Sequence, residues 1–432
     1  MAGVASLSNA TDRPVELLSP VPPMLAGTAS YLSTIVERVA RVARCADLMT
    51  IGVDPGFVPE GEAIPRSLHG VPVVDHRLLA PEVPAGRVRI FFLANNDHHA
   101  YVCDHLARQT SFAYGKIIAV IHDPAAFMIN RFMTGNGEYR QSVEQLQEAV
   151  AIQYGAAGSR FLKARLDGHM PEIFEFVTHC HVLALTKAHE VWVHSLFGLA
   201  KLIGETSLPA HRLPKIRVCA HPAGKGASGT AATGDETHEL FRIGVFGWVT
   251  PPKRITSVIR GLALACDRLG PQSKTIELLV VGRRPADSTY DPAGEAARYD
   301  VADRVRFVDY PDAETFTRLQ EGCHIIFNLR YPSCGETSGT LATAEATGAM
   351  VVTSRYQAFH ETEGARSVTV LAPFEDWEIA SAICSAFETK GSRVKANPPS
   401  GEALAPVEKL LLREVLSRGP TLNAAQEPYE AL

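Results

Sequence analysis

The feature that most constrains this chain is an alternation carried along most of its length. Short runs rich in Val, Ile and Phe are separated by longer amphipathic stretches. The apolar runs in the first half are DLMTIGV (47–53), VRIFFLA (88–94), IIAVI (117–121), HVLALT (181–186) and VWVH (191–194). In the second half they are FRIGVFG (241–247), TIELLVVG (275–282), RVRFV (304–308), CHIIFNL (323–329), MVVTS (350–354) and VTVL (368–371). Between them lie stretches such as YLSTIVERVARVAR (31–44) and DAETFTRLQEG (312–322). Near-continuous apolar strands alternating with helices predict parallel sheets covered on both faces.

At 432 residues the chain exceeds one ordinary core, so two domains are expected. The seam falls in AGKGASGTAATGDETHE (223–239), which is small, polar and without apolar periodicity. The division predicted is 1–222, a linker at 223–240, 241–405, and a helix with a polar tail at 406–432 that packs back toward the first domain. A net charge of -5 excludes a general nucleic-acid binder. The eight cysteines include no CxxC pair, and several sit in apolar runs, which fits buried thiols in a reducing cytoplasm. The start of the chain lacks the pattern of a signal peptide, and no stretch reaches the roughly 20 apolar residues of a membrane span. A soluble, cytoplasmic protein is expected. The basic helix ERVARVAR (37–44) reads first as a solvated helix face, with peripheral contact to anionic lipid as the alternative.

Ligands of open parallel sheets bind beyond the carboxyl ends of the strands. The most informative such place is IIFNLRYPSCGETSGTLATAEATGAMVV, where a strand runs into a loop and then a helix capped by Thr337 or Ser338. Backbone N–H groups of a small-residue loop at a helix start suit an anion. The carboxylate of Glu336 suits the hydroxyls of a sugar attached to that anion. A plain helix start with an acidic residue favoured by the dipole reads equally well from local chemistry.

The run NLRYPSCGETSGTLATAEATG resembles the donor loop and helix of the family-four glycosyltransferases, in the subgroup whose loop reads Gly-Glu-Thr-Ser-Gly. The resemblance implies a GT-B fold: α/β, two Rossmann-like doubly wound domains facing a central cleft. It implies that Glu336 holds the donor sugar, while Gly335, Thr337, Ser338 and Gly339 meet the diphosphate. Many members of that family carry a second glutamate eight residues after the first, binding the ribose. This chain has Ala344 there, with Glu345 one step on, about 100° further round a helix.

The stretch FRIGVFGWVTPPKRITSVIRG adds Gly247, Lys253 and Arg254 at the end of a strand. Cations there neutralise a departing diphosphate, and the resemblance places the diphosphate lysine at Lys253, with Trp248 where an arginine is usual. In SPVPPMLAGTASYLSTIVERV, Gly27 resembles the glycine of the family's first loop. His122 directly follows IIAVI, and the resemblance assigns a histidine there to the donor sugar or reaction centre. His98 and His99 would then line the acceptor side. Zinc readings of His98, His99 and His105, or of His179, His181 and His189, lack compact ligand spacing, so no metal site is expected. No GxGxxG follows a strand, and neither a Walker loop nor a GxSxG elbow is present.

The expectation is a retaining, metal-independent hexosyltransferase needing no cofactor. It would use a nucleotide-diphosphate sugar, UDP-linked before GDP-mannose, and a hydroxyl acceptor on a glycan, lipid-linked or small molecule. The rivals are a sugar-nucleotide epimerase or phosphorylase on the same fold, and a non-catalytic sugar-nucleotide-binding subunit. A periplasmic-type binding protein is disfavoured by the missing signal peptide.

Overall fold

The computed structural model describes residues 13–24, 26–43, 45–109, 114–135, 138–139, 142–171, 173–222, 240–286, 288–309, 311–389 and 406–418. The segment 223–239, which holds most of the expected linker, lies outside them. The described residues form two compact units, one within 13–194, 198–222 and 406–418, the other at 195–197 and within 240–389.

Among the described residues the N-terminal unit is built on eight strands: β1 (Val15–Leu18), β2 (Met49–Val53), β3 (Ser67–Leu68), β4 (Val71–Asp75), β5 (Val88–Leu93), β6 (Lys116–Ile121), β7 (Glu190–Val193) and β8 (Lys215–Val218). Their order is β3-β4-β2-β1-β5-β6-β7-β8, parallel throughout except for the β3–β4 pair. Alternate residues feed two separate cores: Ile90, Phe92, Ile118 and Val120 pack in one, Phe91, Leu93, Ile117 and Ala119 in the other. That period of two is the signature of a sheet covered on both faces.

The central strand β1, VELL, escapes the sequence reading because a charge interrupts it. Glu16 is 1% exposed and stands in register with Arg89 of β5, whose Nε donates to it at 2.6 Å. Burying either charge alone would be very costly, so the pair is what lets this strand sit at the centre.

A second expectation needs correcting. HVLALT is not a strand: Val182–Lys187 is helical, with Val182, Ala184 and Leu185 buried. The reason lies in the chain itself. Parallel neighbours need a crossover of a dozen or more residues, and only four separate this run from VWVH, which forms β7. The run VTVL is likewise displaced, the last strand being Arg366–Val368.

Among the described residues the C-terminal unit has six strands: β9 (Phe241–Phe246), β10 (Ile276–Val281), β11 (Val305–Val308), β12 (Ile325–Asn328), β13 (Met350–Ser354) and β14 (Arg366–Val368). All pair in parallel, in the order β11-β10-β9-β12-β13-β14. Counted within the unit this is 3-2-1-4-5-6, the doubly wound Rossmann order. Setting aside the β3 hairpin, the N-terminal sheet follows the same order with one strand added. Each sheet therefore has a switch point, between β1 and β5 in the first and between β9 and β12 in the second.

The helix Pro406–Leu416 buries Val407, Leu411 and Val415 in the N-terminal core. Its Glu408 accepts from Arg38 at 3.2 Å and its Glu414 from Lys116 at 2.6 Å. Among the described residues no helix is long and apolar enough to cross a membrane.

Candidate functional site

The site grows from the switch point of the C-terminal sheet. Strand β9 is followed directly by Gly247 at φ 102°, a conformation that glycine adopts freely. Beside it, β10 is followed by Gly282, where a Cβ would stand 1.8 Å from the Gly247 carbonyl oxygen. Two glycines thus bring two strand ends into backbone contact, leaving floor rather than side chain at this point.

The chain then turns through Thr250–Pro252, and Lys253 folds back. Its ammonium donates to the Phe246 carbonyl at 2.9 Å and the residue is only 5% exposed. Burial holds its pKa well below the usual lysine range; Arg330 pushes the same way, and Glu336 opposes both. An ammonium carries three donors, and among the described residues one is engaged.

Strand β12 supplies the other wall. Its last residue, Asn328, donates to Thr340 Oγ1 at 2.9 Å and to Ser338 Oγ at 3.3 Å. Ser338 caps the following helix, Gly339–Glu345, by accepting from the Leu341 N–H. Within the loop, Arg330 Nε lies 2.9 Å from Glu336 Oε1, and Ser333 Oγ donates to Glu336 Oε2 at 2.7 Å. Ser333 Oγ also accepts from the Gly335 N–H at 2.9 Å, where Gly335 takes φ 82°. One oxygen of the Glu336 carboxylate is thereby held by an ion pair and the other by a hydrogen bond. A backbone bond from Tyr331 N–H to the Pro252 carbonyl, 2.9 Å, ties the loop after β12 to the loop after β9.

Lys253, Gly247, Gly335, Glu336, Thr337, Ser338 and Gly339 are therefore brought together at one switch point. Arg330, absent from the expected set, joins them. The available signal was a cation six residues before Glu336 in the same post-strand loop. Arg254 is placed differently. It takes φ 58° and its guanidinium binds Glu375, which is fully buried and also accepts from Ser257 Oγ at 2.8 Å. It reaches the site only by lying 5.9 Å from the centre of the Tyr331 ring. Ala344 is fully buried in the apolar core while Glu345 is exposed, so Glu345 does not occupy the position of its neighbour.

In the N-terminal unit, Gly27 opens the helix Gly27–Ala43 and is exposed, with no atom within 4 Å of a Cβ built on it. His99 is fully buried: Nδ1 bonds the Phe92 carbonyl at 2.6 Å and Nε2 meets Thr28 Oγ1 at 2.8 Å, leaving no free ring nitrogen. His98 is partly exposed and stacks edge-on to Phe57. His122 directly follows β6, is 8% exposed, and its Nε2 is buried without a partner among the described residues. No group of three His, Cys, Asp or Glu among the described residues is arranged to hold a metal ion.

No family model matches the sequence, and no curated protein matches it. Solved structures do. Anabaena HepE, crystallised with UDP and glucose, matches at TM-score 0.55 and 16% identity, covering 94% of this chain and 97% of its own. WaaG, a glycosyltransferase involved in lipopolysaccharide biosynthesis, gives TM-score 0.53 and 12% identity over 93% of this chain and 99% of its own. The sucrose-phosphate synthase of Thermosynechococcus elongatus gives TM-score 0.55 and 14% identity over 94% and 97%. With two parallel-sheet domains and these neighbours, the chain has the GT-B fold of two Rossmann-like domains.

Proposed function

We propose that this protein is a glycosyltransferase that moves a hexose from a UDP-sugar to a hydroxyl acceptor with retention of the anomeric configuration. In this reading the C-terminal unit holds the donor and the N-terminal unit the acceptor. The observation that carries it is the meeting of Lys253, Arg330 and Glu336 at the β9–β12 switch point, where Rossmann folds bind nucleotides. UDP is favoured over other nucleotides because HepE, of the same fold, is seen with UDP and glucose.

The chemistry follows from where charge develops. The bond from the anomeric carbon to the diphosphate breaks, and the electron pair leaves with the phosphate oxygen through an oxocarbenium-like state. Lys253, with free donors, and Arg330 stabilise that oxygen, the role that a divalent cation would otherwise take. Glu336, paired with Arg330 and bonded by Ser333, accepts from sugar hydroxyls. The acceptor hydroxyl attacks the face the diphosphate leaves, and its proton passes to the departing phosphate. Backbone N–H groups of Thr337 to Gly339 contribute further donors. The helix behind them has only seven residues, so the two cations carry most of the weight.

Thermal unfolding with UDP, GDP, dTDP and their sugars tests the donor. A ligand at a hundred times its Kd adds about 2.7 kcal/mol, so UDP and UDP-sugars should raise the unfolding temperature and the others should not. Arg330→Met should weaken both UDP and UDP-sugar, UDP-sugar the more, and Arg330→Lys should recover part of the loss, because the change removes a cation from the diphosphate and also the ion pair that holds Glu336 toward the sugar. No shift with any nucleotide would overturn the reading, and UDP-sugar consumption surviving Glu336→Ala unchanged would remove that residue from it.

A further inference from the structure

A second polar cluster sits in the N-terminal unit, and the chemistry above uses none of its members. Tyr31, from the helix Gly27–Ala43, stands 4.5 Å ring-to-ring from His122, 5.3 Å from His194 and 5.0 Å from His221. His194 is itself 5.2 Å from His122 and 5.7 Å from His221. The three histidines directly follow or lie just beyond β6, β7 and β8, so three neighbouring strand ends deliver them to one place. Tyr31 is 4% exposed, and His122 and His194 are 8% exposed.

What separates this cluster from ordinary packing is that its polar atoms have nothing to bond. Among the described residues, Tyr31 Oη, His122 Nε2 and His194 Nε2 are all buried without a hydrogen-bond partner. Buried polar groups are nearly always satisfied, and three orphans in mutual contact mark a place built for something that bonds them.

The hydrogen bonds elsewhere on these rings define what that is. His194 Nδ1 lies 2.9 Å from the Cys219 carbonyl, and His221 Nδ1 lies 3.0 Å from the Pro222 carbonyl. A carbonyl only accepts, so each proton sits on Nδ1 and each Nε2 presents a lone pair. Burial favours the neutral rings, holding His194 at about 3 and His221 at about 4. The groups acting on the cluster are the other histidines together with Cys219 and Glu408, which act on Tyr31. A phosphate or carboxylate would meet lone pairs and, among the described residues, find no cation acting on the cluster. A hydroxyl fits both sides: its O–H donates to His194 Nε2, and its oxygen accepts from Tyr31.

We infer that Tyr31 and His194, beside His122, form a subsite for the hydroxyl of an uncharged sugar or polyol, the acceptor side of the proposed reaction. The inference rests on that reading, and an ordered water, which shares the same chemistry, is its competitor.

Titrating the full-length protein with methyl glucoside, methyl galactoside and methyl mannoside in the presence of UDP, followed by saturation-transfer NMR, tests it, with glucose 6-phosphate as the charged comparison. At least one neutral glycoside should bind, and more tightly than glucose 6-phosphate. Tyr31→Phe and His194→Leu should each weaken it about tenfold, the worth of one hydrogen bond. His194→Gln, whose amide oxygen reaches the position of Nε2, should keep most of the affinity. The UDP affinity of all three variants should equal that of the unmodified protein, and that also shows that they are folded. Failure of every neutral glycoside while UDP binds overturns the subsite alone. Equal glycoside binding by Tyr31→Phe and His194→Leu means the cluster holds a water, and overturns it too. Failure of UDP itself overturns the proposed function first.

Discussion

Arg254 separates a structural clamp from a ligand-binding group, because the two roles predict opposite results. Glu375 is fully buried at the start of the helix Phe374–Glu388, and its oxygens take hydrogen bonds from Arg254 and from Ser257. Arg254→Met removes the charge and leaves the carboxylate buried with one hydroxyl donor. Removing one partner of a buried pair costs about 3–5 kcal/mol. The Arg254 side chain is 23% exposed, so water partly screens the pair and the lower figure applies. The loss of about 3 kcal/mol should lower the unfolding temperature of this unit by roughly 6–12 °C, at 2–4 °C per kcal/mol for a domain of this size. Methionine keeps the left-handed backbone at φ 58°, so no strain is relieved to mask the effect. Replacing both partners, with Arg254→Met and Glu375→Leu, leaves no orphaned charge and should recover most of the loss, as apolar replacements of buried pairs do. Circular dichroism melts of the single and double variants give the coupling, and UDP titration gives the affinity. A clamp predicts a large fall in melting temperature, near-complete recovery in the double variant, and UDP affinity within about threefold, the size of a small indirect disturbance of roughly 0.6 kcal/mol. An unchanged melting temperature with a tenfold loss of UDP affinity would refute the clamp and return Arg254 to the diphosphate.

Two further outcomes follow from burial. His99, His105 and His194 are held at about 3 in the N-terminal unit, chiefly by burial, against about 6.5 when unfolded. Between those values the unfolded chain binds more protons than the native one. Stability is therefore full above pH 6.5 and falls as pH drops toward 3, by up to about 1.4 kcal/mol per pH unit for each histidine. Trp192 is fully buried in that unit, while Trp248 and Trp377 are 42% and 52% exposed in the other, so tryptophan fluorescence during urea unfolding reports the loss; equal stability at pH 7 and pH 5 would contradict it. At Gly261, in the middle of the helix Ile255–Leu269, an added Cβ would lie 2.3 Å from Ile379 Cγ2 and 2.7 Å from Ile379 Cβ. Gly261→Ala gains about 1 kcal/mol of helix propensity but overpacks a closed contact at about 1–3 kcal/mol. The variant should be less stable in urea melts, and adding Ile379→Ala should leave the pair less destabilised than the sum of the two single changes; a stabilised Gly261→Ala would show that the helices move apart freely.

The parallel sheets were legible because most of their strands are uninterrupted apolar runs that bury both faces. Where a strand departs from that chemistry, the sequence misleads. In β1 the apolar run is broken by Glu16, and its partner Arg89 lies 73 residues away. In β8, KIRV alternates charge and apolar residues at the edge of its sheet. HVLALT is apolar enough for a strand, and only the short spacing to VWVH argues otherwise. The site shows the same division. Lys253 and Glu336 each follow a strand end that could be read directly. Arg330 could not be placed, because its role depends on where Glu336 returns to meet it. His98 and His99 are neighbours in a 3-10 turn, where successive side chains point about 120° apart. One is therefore partly exposed and the other spends both nitrogens inside the protein.

The switch point explains why so few residues suffice in the C-terminal unit. Chains leaving β9 and β12 run to opposite faces of the sheet, and the gap between those strand ends is the place where neither connection covers the floor. Gly247 and Gly282 keep that floor free of side chains, and the Tyr331–Pro252 backbone bond holds the two loops at a fixed spacing. A lysine on one loop and an arginine–glutamate pair on the other then share a small volume without any strand having to carry a charge. Burial is the main reason the pKa of Lys253 is low, and repulsion between its charge and that of Arg330 adds to it. A diphosphate entering there would relieve that repulsion, so its binding should be stronger than either cation alone would give, and should hold Lys253 charged.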